Sequence, residues 1–105
     1  MPRATEHGEI WEARVDKLRA VTIVSRDDVH GRRAKTTVAT ITSNVRGLPT
    51  EVLVDHRDGL SRPSAVNCDE LLTVPKDWLI RRIGRLSETK IEALDDALRF
   101  ALQLR

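Results

Sequence analysis

Residues 36–55 read TTVATITSNVRGLPTEVLVD, and this stretch decides the fold. Thr37 to Thr42 is β-branched and alternates between two faces, which predicts a strand. The pattern stops at Ser43-Asn44, crosses a basic turn carrying Arg46 and Gly47, and resumes as a second strand from Thr50 to Val54. A strand, a polar corner, a short basic loop and a second strand place Thr42 at a strand end, facing a cleft edged with positive charge.

Working upstream, Met1 to His7 is polar and predicts a flexible leader, ahead of a single domain over 8–105. Trp11, Ala13 and Val15 alternate with Glu12 and Arg14, the pattern of a half-buried strand. Asp16-Lys17-Leu18 is a tight connection, and Arg19 opens a second strand, apolar on both faces from Val21 and therefore central. The run RDDVHGRRAK from Arg26 to Lys35 admits two readings. One is a solvated surface loop; the other is a mobile basic flap over a substrate groove, with Arg32, Arg33 and Lys35 on phosphates.

Downstream, Asp58-Gly59 signals a turn and Arg62-Pro63 precedes a strand at Ala65 to Cys68. Pro75 suits the start of a short helical turn through Trp78. Ile80 to Leu86 reads as a last strand with a basic side. Ser87 is a fair helix N-cap, and Ile91, Leu94, Leu98 and Ala101 or Leu102 recur at helical spacing. The sum is a mainly β chain: a small, SH3-like curved antiparallel β-barrel with a C-terminal amphipathic helix.

Composition bounds the function. A chain of 105 residues is one domain by length, and with 40% hydrophobic residues and three aromatics its core is built from Val, Ile, Leu and Ala. No apolar run approaches the ~20 residues of a membrane span, and the polar N-terminus is unlike a signal peptide. The single cysteine, Cys68, excludes an internal disulfide and fits a cytoplasmic location. A net charge of +2 permits a nucleic-acid partner without requiring one.

A run of short motifs narrows this further. Ile41-Thr42-Ser43-Asn44 followed by Arg46-Gly47-Leu48-Pro49-Thr50-Glu51-Val52 resembles the centre of the MazF/PemK toxins, the RNA-cutting halves of bacterial type II toxin–antitoxin pairs. Gly8-Glu9-Ile10-Trp11, Leu18-Arg19-Ala20-Val21, Asp58-Gly59-Leu60, Arg62-Pro63-Ser64, Val66-Asn67-Cys68-Asp69, Thr73-Val74-Pro75 and Ile83-Gly84-Arg85-Leu86-Ser87 follow in family order. The resemblance covers roughly residues 7 to 105.

It implies a cytoplasmic, sequence-specific endoribonuclease that cuts single-stranded RNA without metal or cofactor. The catalytic pair it implies is Arg19 with Thr42, and RNA contacts fall to Ser43, Asn44, Arg46, Leu48, Asp69, Glu70, Arg32 and Arg33. A homodimer is implied as well, and so is a cognate antitoxin whose acidic, disordered tail occupies the groove. Two departures stand out: Ala20, where the family usually has proline, and Glu70, where many relatives have glutamine.

The residues themselves fit that chemistry. Metal-free RNA cleavage needs charge stabilisation on a phosphorane and proton transfer at two oxygens. His7, His30 and His56 lie outside the matched motifs and read as surface residues. Asp69 and Glu70 are adjacent, and adjacent strand residues point to opposite faces. Arg19 offers a permanent charge and a planar fork of donors, while the Thr42 hydroxyl can align a phosphate. The plainer reading makes Thr42 another β-former and Arg19 a snorkelling cation. Arg46, Arg62, Arg81, Arg82 and Arg85 are candidates for the RNA groove, and Trp11 and Trp78 read as core. Rival functions on the same fold are a CcdB-type gyrase poison and a non-catalytic SH3-like binding module.

Overall fold

The alternating segments pair into one sheet. The computed structural model describes residues 3–105. Its elements are β1 (Glu9–Arg14), β2 (Leu18–Ile23), β3 (Lys35–Thr42), β4 (Glu51–Val54), β5 (Ser64–Pro75), β6 (Leu79–Arg85) and helix α1 (Glu88–Leu102), with 3-10 turns at His56–Asp58 and Lys76–Trp78. The strand order is β4-β5-β3-β2-β1-β6, with antiparallel neighbours throughout. The expected curved antiparallel sheet and terminal helix are present. The sheet curls into a half-barrel and keeps β4 and β6 as its two edges, rather than losing them by full closure.

Strand alternation sorts the core onto two faces. On one, Ile10, Ala39, Val52, Val54, Val66 and Cys68 pack with Leu86, Leu94 and Ala97 under α1. On the other, Trp11, Ala13, Val21, Ile23 and Val38 pack with Val74 and Leu79. Ser87 caps α1 by accepting from the Lys90 N–H, and the helix settles Ile91, Leu94, Leu98 and Ala101 on the sheet while Leu102 stays exposed.

The 3-10 turn at His56–Asp58 bridges toward the far edge. A Cβ on Gly84 of β6 would stand 2.6 Å from the Asp58 carbonyl oxygen, so only glycine admits the turn this close. Asp58 is itself buried, accepting from the Asp55 N–H at 2.9 Å and from Lys90 Nζ at 2.5 Å. One carboxylate thus joins the turn to the first helical turn of α1.

Three readings are corrected here. Residues 3–7 of the expected leader are pinned: Thr5 is fully buried and exchanges backbone hydrogen bonds with Asp28, at 3.2 and 2.7 Å. Residues 1 and 2 lie outside the described part. His7 is no free surface residue, because its ring bonds the Val24 carbonyl at 3.0 Å and Asp95 at 2.6 Å, tying the segment just after β2 to α1. Trp78 is 40% exposed, whereas Trp11 is buried with its indole N–H on Glu9.

The Gly84 contact predicts a stability effect. Gly84→Ala forces a methyl group against a backbone carbonyl, and overpacking of this kind costs about 1–3 kcal/mol. Urea denaturation is expected to show that loss; an unchanged midpoint would mean that the turn and β6 are not held together.

Candidate active site

The site begins with register. β2 and β3 pair through Ile23↔Val38, Thr22↔Ala39 and Val21↔Thr40. The ladder stops there, and the same register continued by two residues sets Arg19 opposite Thr42. Both point to the face that carries Val21 and Val38, but at its solvent-open end. Arg19 retains 30% of its side-chain exposure and donates to Asp16 from Nε at 2.9 Å. Thr42 Oγ1 accepts the Asn44 N–H at 3.0 Å, which leaves its own O–H free to donate.

Two clefts meet at this pair. The larger, ≈ 580 Å³, is edged by the cations Lys17, Arg19 and Arg62 together with Thr42 and Ser43. The smaller, ≈ 300 Å³, lies beneath the basic turn and is walled by Asn44, Arg46, Leu48, Glu51, Asp69 and Glu70. Arg19 and Thr42 are the two residues common to both linings.

Asp69 and Glu70 reach the same cleft because β5 is irregular. Its pairing with β3 jumps from Ala39↔Leu71 to Thr40↔Asn67, so the intervening residues bulge. The expectation of opposite faces fails for that reason. Each carboxylate is then held by a threonine: Glu70 accepts from Thr40 at 3.1 Å and Asp69 from Thr50 at 2.6 Å.

The basic turn is shaped from below. Glu51 Oε1 accepts the backbone N–H groups of Arg46, Gly47 and Leu48 at 3.0, 2.7 and 3.2 Å. Gly47 supplies the left-handed backbone that this wrapping requires, at φ 72°.

Comparison with known proteins now decides the family. The family model described as PemK-like, MazF-like toxin of type II toxin–antitoxin system matches residues 6–102. The chain belongs to that family. It is 45% identical over 92 residues to the endoribonuclease MazF3 of Mycobacterium tuberculosis, covering 88% of this chain and 89% of the relative. It is similar in structure to the Mycobacterium tuberculosis toxin MazF-mt6, with a TM-score of 0.88, 43% identity, and coverage of 92% of this chain and 98% of that one. A mycobacterial endoribonuclease solved in complex with its cognate antitoxin has a TM-score of 0.84 over 96% of this chain and 97% of that one. At 24% identity it bears on the fold alone.

In this PemK/MazF-family toxin, most of the predicted site residues converge. Arg19, Thr42, Ser43, Asn44, Arg46, Leu48, Asp69 and Glu70 line the paired clefts. Arg32 and Arg33 do not. They lie in the β2–β3 connection, beyond the opposite end of β3; at about 3.3 Å per residue that strand spans roughly 23 Å. Nor is their loop a free flap. Asp28 accepts from the Arg32 and Arg33 N–H groups at 3.0 and 2.9 Å and from the buried Lys76 Nζ at 2.5 Å. The Lys76 ammonium, with the Arg33 N–H, holds the Asp28 carboxyl well below the usual carboxylate range.

Among the groove arginines, Arg46 and Arg62 edge the paired clefts, whereas Arg81 and Arg82 lean on Glu12 and Glu9 at 3.6 and 3.4 Å. Arg85 lies near Arg57 and Lys90, apart from the pair. The residues missed from sequence are Asp16, Thr40 and Glu51's role as loop anchor. Asp16 at i−3 from Arg19 was a legible signal; Thr40 reaches Glu70 only through the bulge.

Cys68, the core-facing residue of the bulge, has its thiol pushed up to about 11 by burial and by the nearby Asp69. The thiol is therefore protonated at neutral pH and is no nucleophile. Because its folded value lies above the unfolded one, its stabilising contribution is complete below about pH 8.5 and is lost as pH rises toward 11. Against Cys68→Ala, the parent is expected to lose stability more steeply between about pH 9 and 11 in denaturant titrations. Equal slopes would show a solvated thiol.

Glu51 gives a second check. Glu51→Ala frees three amides, so hydrogen exchange at Arg46, Gly47 and Leu48 is expected to quicken by about tenfold, the equivalent of ~1.4 kcal/mol. Unchanged exchange there would mean that Glu51 does not shape the turn.

Proposed function

We propose that this toxin is an endoribonuclease that cuts single-stranded RNA at the junction of the two clefts. The observation that carries the reading is that Arg19 and Thr42 alone are shared by a cationic cleft and an acceptor-rich one. The scissile phosphate sits between them. The backbone on one side follows Lys17, Arg19 and Arg62. A splayed base on the other side enters the pocket walled by Glu51, Asp69 and Glu70, whose carboxylates accept hydrogen bonds from amino or imino edges and repel phosphate.

The reaction this arrangement supports is attack of the 2′-hydroxyl on its own phosphorus. The O5′–P bond breaks as the 2′-hydroxyl proton passes to solvent water and the departing 5′-oxygen takes a proton from water, leaving a 2′,3′-cyclic phosphate and a 5′-hydroxyl. Arg19 balances charge on the phosphorane and donates toward its oxygens; a guanidinium keeps its proton and is a poor base. Thr42, with its O–H unspent, holds a phosphate oxygen so that the 2′-oxygen and the leaving 5′-oxygen lie in line. No metal ion enters this scheme.

A homodimer and a cognate antitoxin complete the proposal, in the cytoplasm. The antitoxin's acidic tail competes for the Lys17–Arg19–Arg62 cleft, because cations placed for phosphate accept carboxylates equally. It avoids the pocket lined by Asp69 and Glu70. Among the described residues, no helix is long and apolar enough to cross a membrane.

Purified protein incubated with RNA and chelator is expected to yield cyclic phosphate ends. Arg19→Ala should slow cleavage by about 10²–10³-fold, and Thr42→Ala by more than about tenfold, with unchanged melting. Wild-type rates in both variants would dispose of the assignment. Intact RNA with trapped gyrase would favour the poison, and intact RNA with a mobility shift the binding module. Affinity for uncleavable RNA should fall with salt at a log–log slope of about −0.7 per phosphate neutralised.

A further inference from the structure

Four cations in or beside the β2–β3 connection stand away from both clefts: Arg26, Arg32, Arg33 and Lys35. Among the described residues, none of them enters an ion pair. The frame beneath them explains why. Asp28 turns inward, accepting the Arg32 and Arg33 N–H groups and the Nζ of Lys76, which is 1% exposed, so this acid is neutralised below the surface. Asp27 and Asp77 are the exposed acids left in residues 26–35 and 76–78, against four cations. The local excess of two equals the net charge of the whole chain.

An aromatic side chain shares this end of the sheet. The 3-10 turn Lys76–Trp78 is docked on the same loop, with the Lys76 N–H donating to the Ala34 carbonyl at 2.8 Å. Trp78, two residues on, is half-exposed, and among the described residues its indole makes no hydrogen bond. Trp11 by contrast is buried and donates to Glu9 at 3.0 Å. Unpaired cations beside an open indole are the means by which proteins hold single-stranded nucleic acid: the charges take the backbone and the ring stacks a base. An acidic peptide would satisfy the charges alone.

We propose that this end of the sheet, formed by Arg26, Arg32, Arg33, Lys35 and Trp78, is a second RNA-contact surface that holds a stretch of substrate lying outside the cut site. The proposal rests on the nuclease reading for RNA as the substrate. Its distance from the cut sets the length of strand required. The β3 strand separates the surface from Thr42 by roughly 23 Å, about seven nucleotides at about 3.4 Å per stacked nucleotide. A strand of about five nucleotides centred on the cut falls short of it, and one of about thirty reaches it.

Dependence on substrate length is therefore the signature. Arg26→Gln, Arg32→Gln and Lys35→Gln together remove three exposed charges, and the Asp28 bonds that frame the loop go to backbone amides and Lys76, so the frame is kept. On the long strand the triple variant is expected to raise KM about tenfold with kcat unchanged. On the short strand carrying the same cut site, both constants should stay within about twofold, which also shows that the variant is folded. Affinity for uncleavable long RNA should follow salt with a log–log slope shallower by about two, from about 0.7 for each of three phosphates released. The long strand should quench the tryptophan fluorescence of the parent but not of Trp78→Phe, and the short strand should quench neither.

A KM on the long strand within twofold of the parent overturns the proposal, as does an unchanged salt slope. An equal loss on both lengths overturns it too, because the charges would then act at the cut site itself. A glutamate-rich peptide that the parent binds and the triple variant releases, with long RNA held equally by both, assigns the surface to an acidic protein segment instead. Each of these outcomes leaves the nuclease reading standing. A parent that neither cuts nor binds RNA of either length defeats the nuclease reading and takes this one with it.

Discussion

The pairing of β3 on both sides is the constraint on which the rest of this molecule depends. Its partner β2 holds it in an unbroken antiparallel register, and its partner β5 does not. Regular pairing on one flank sends Arg19 and Thr42 out at the same level of the same face. Irregular pairing on the other swings Asp69 and Glu70 in beside them. A β5 without the bulge would return one of these two carboxylates to the core face, which is apolar and covered by α1. The acceptor-lined pocket thus exists because three residues of β5 have no partner of their own on β3.

The same face explains why the site sits at strand ends. Along β2 and β3 it begins apolar, with Ile23 and Val38, and turns polar at Thr40 and then Thr42 and Arg19. The apolar end is closed by Trp11, Val74 and Leu79, so water is excluded there and the strands are rigid. The polar end is left open, and its side chains inherit that rigidity from a core less than a strand's length away. Side chains placed on strands this short need no separate scaffold.

Much of this was legible in residues 36–55, since β-branched alternation, the polar corner and the Gly47 turn are local properties. The Ser87 cap was legible for the same reason, whereas the strand expected at Ala65 to Cys68 runs on through the bulge, from Ser64 to Pro75. What was not legible depended on pairing between distant segments. The Asp69–Glu70 convergence requires knowing which residue of β3 each faces, and no local pattern states that. The Arg26–Lys35 loop looks mobile because its charges read as solvated, yet Asp28 spends its oxygens on two backbone amides and on Lys76, which comes from the far end of β5. Thr5 and His7 misled in the same way: short polar segments look frayed until a partner far along the chain accepts their hydrogen bonds.

Charge was the least informative quantity taken whole and the most informative taken locally. Eighteen cations against sixteen anions give a net charge of only +2. Six of the sixteen anions are committed to cations outside the two clefts: Asp55 to Arg57, Glu12 to Arg81, Glu9 to Arg82, Asp96 to Arg99, Asp58 to Lys90 and Asp28 to Lys76. Among the described residues Lys17, Arg46 and Arg62 enter no ion pair, and all three border the Arg19–Thr42 junction. Such uncommitted cations are the ones that displace counterions condensed on a polyanion, and their field reaches about 8 Å at physiological salt. A modest total is therefore compatible with a locally attracting cleft at Lys17, Arg19 and Arg62, whose lining holds no carboxylate.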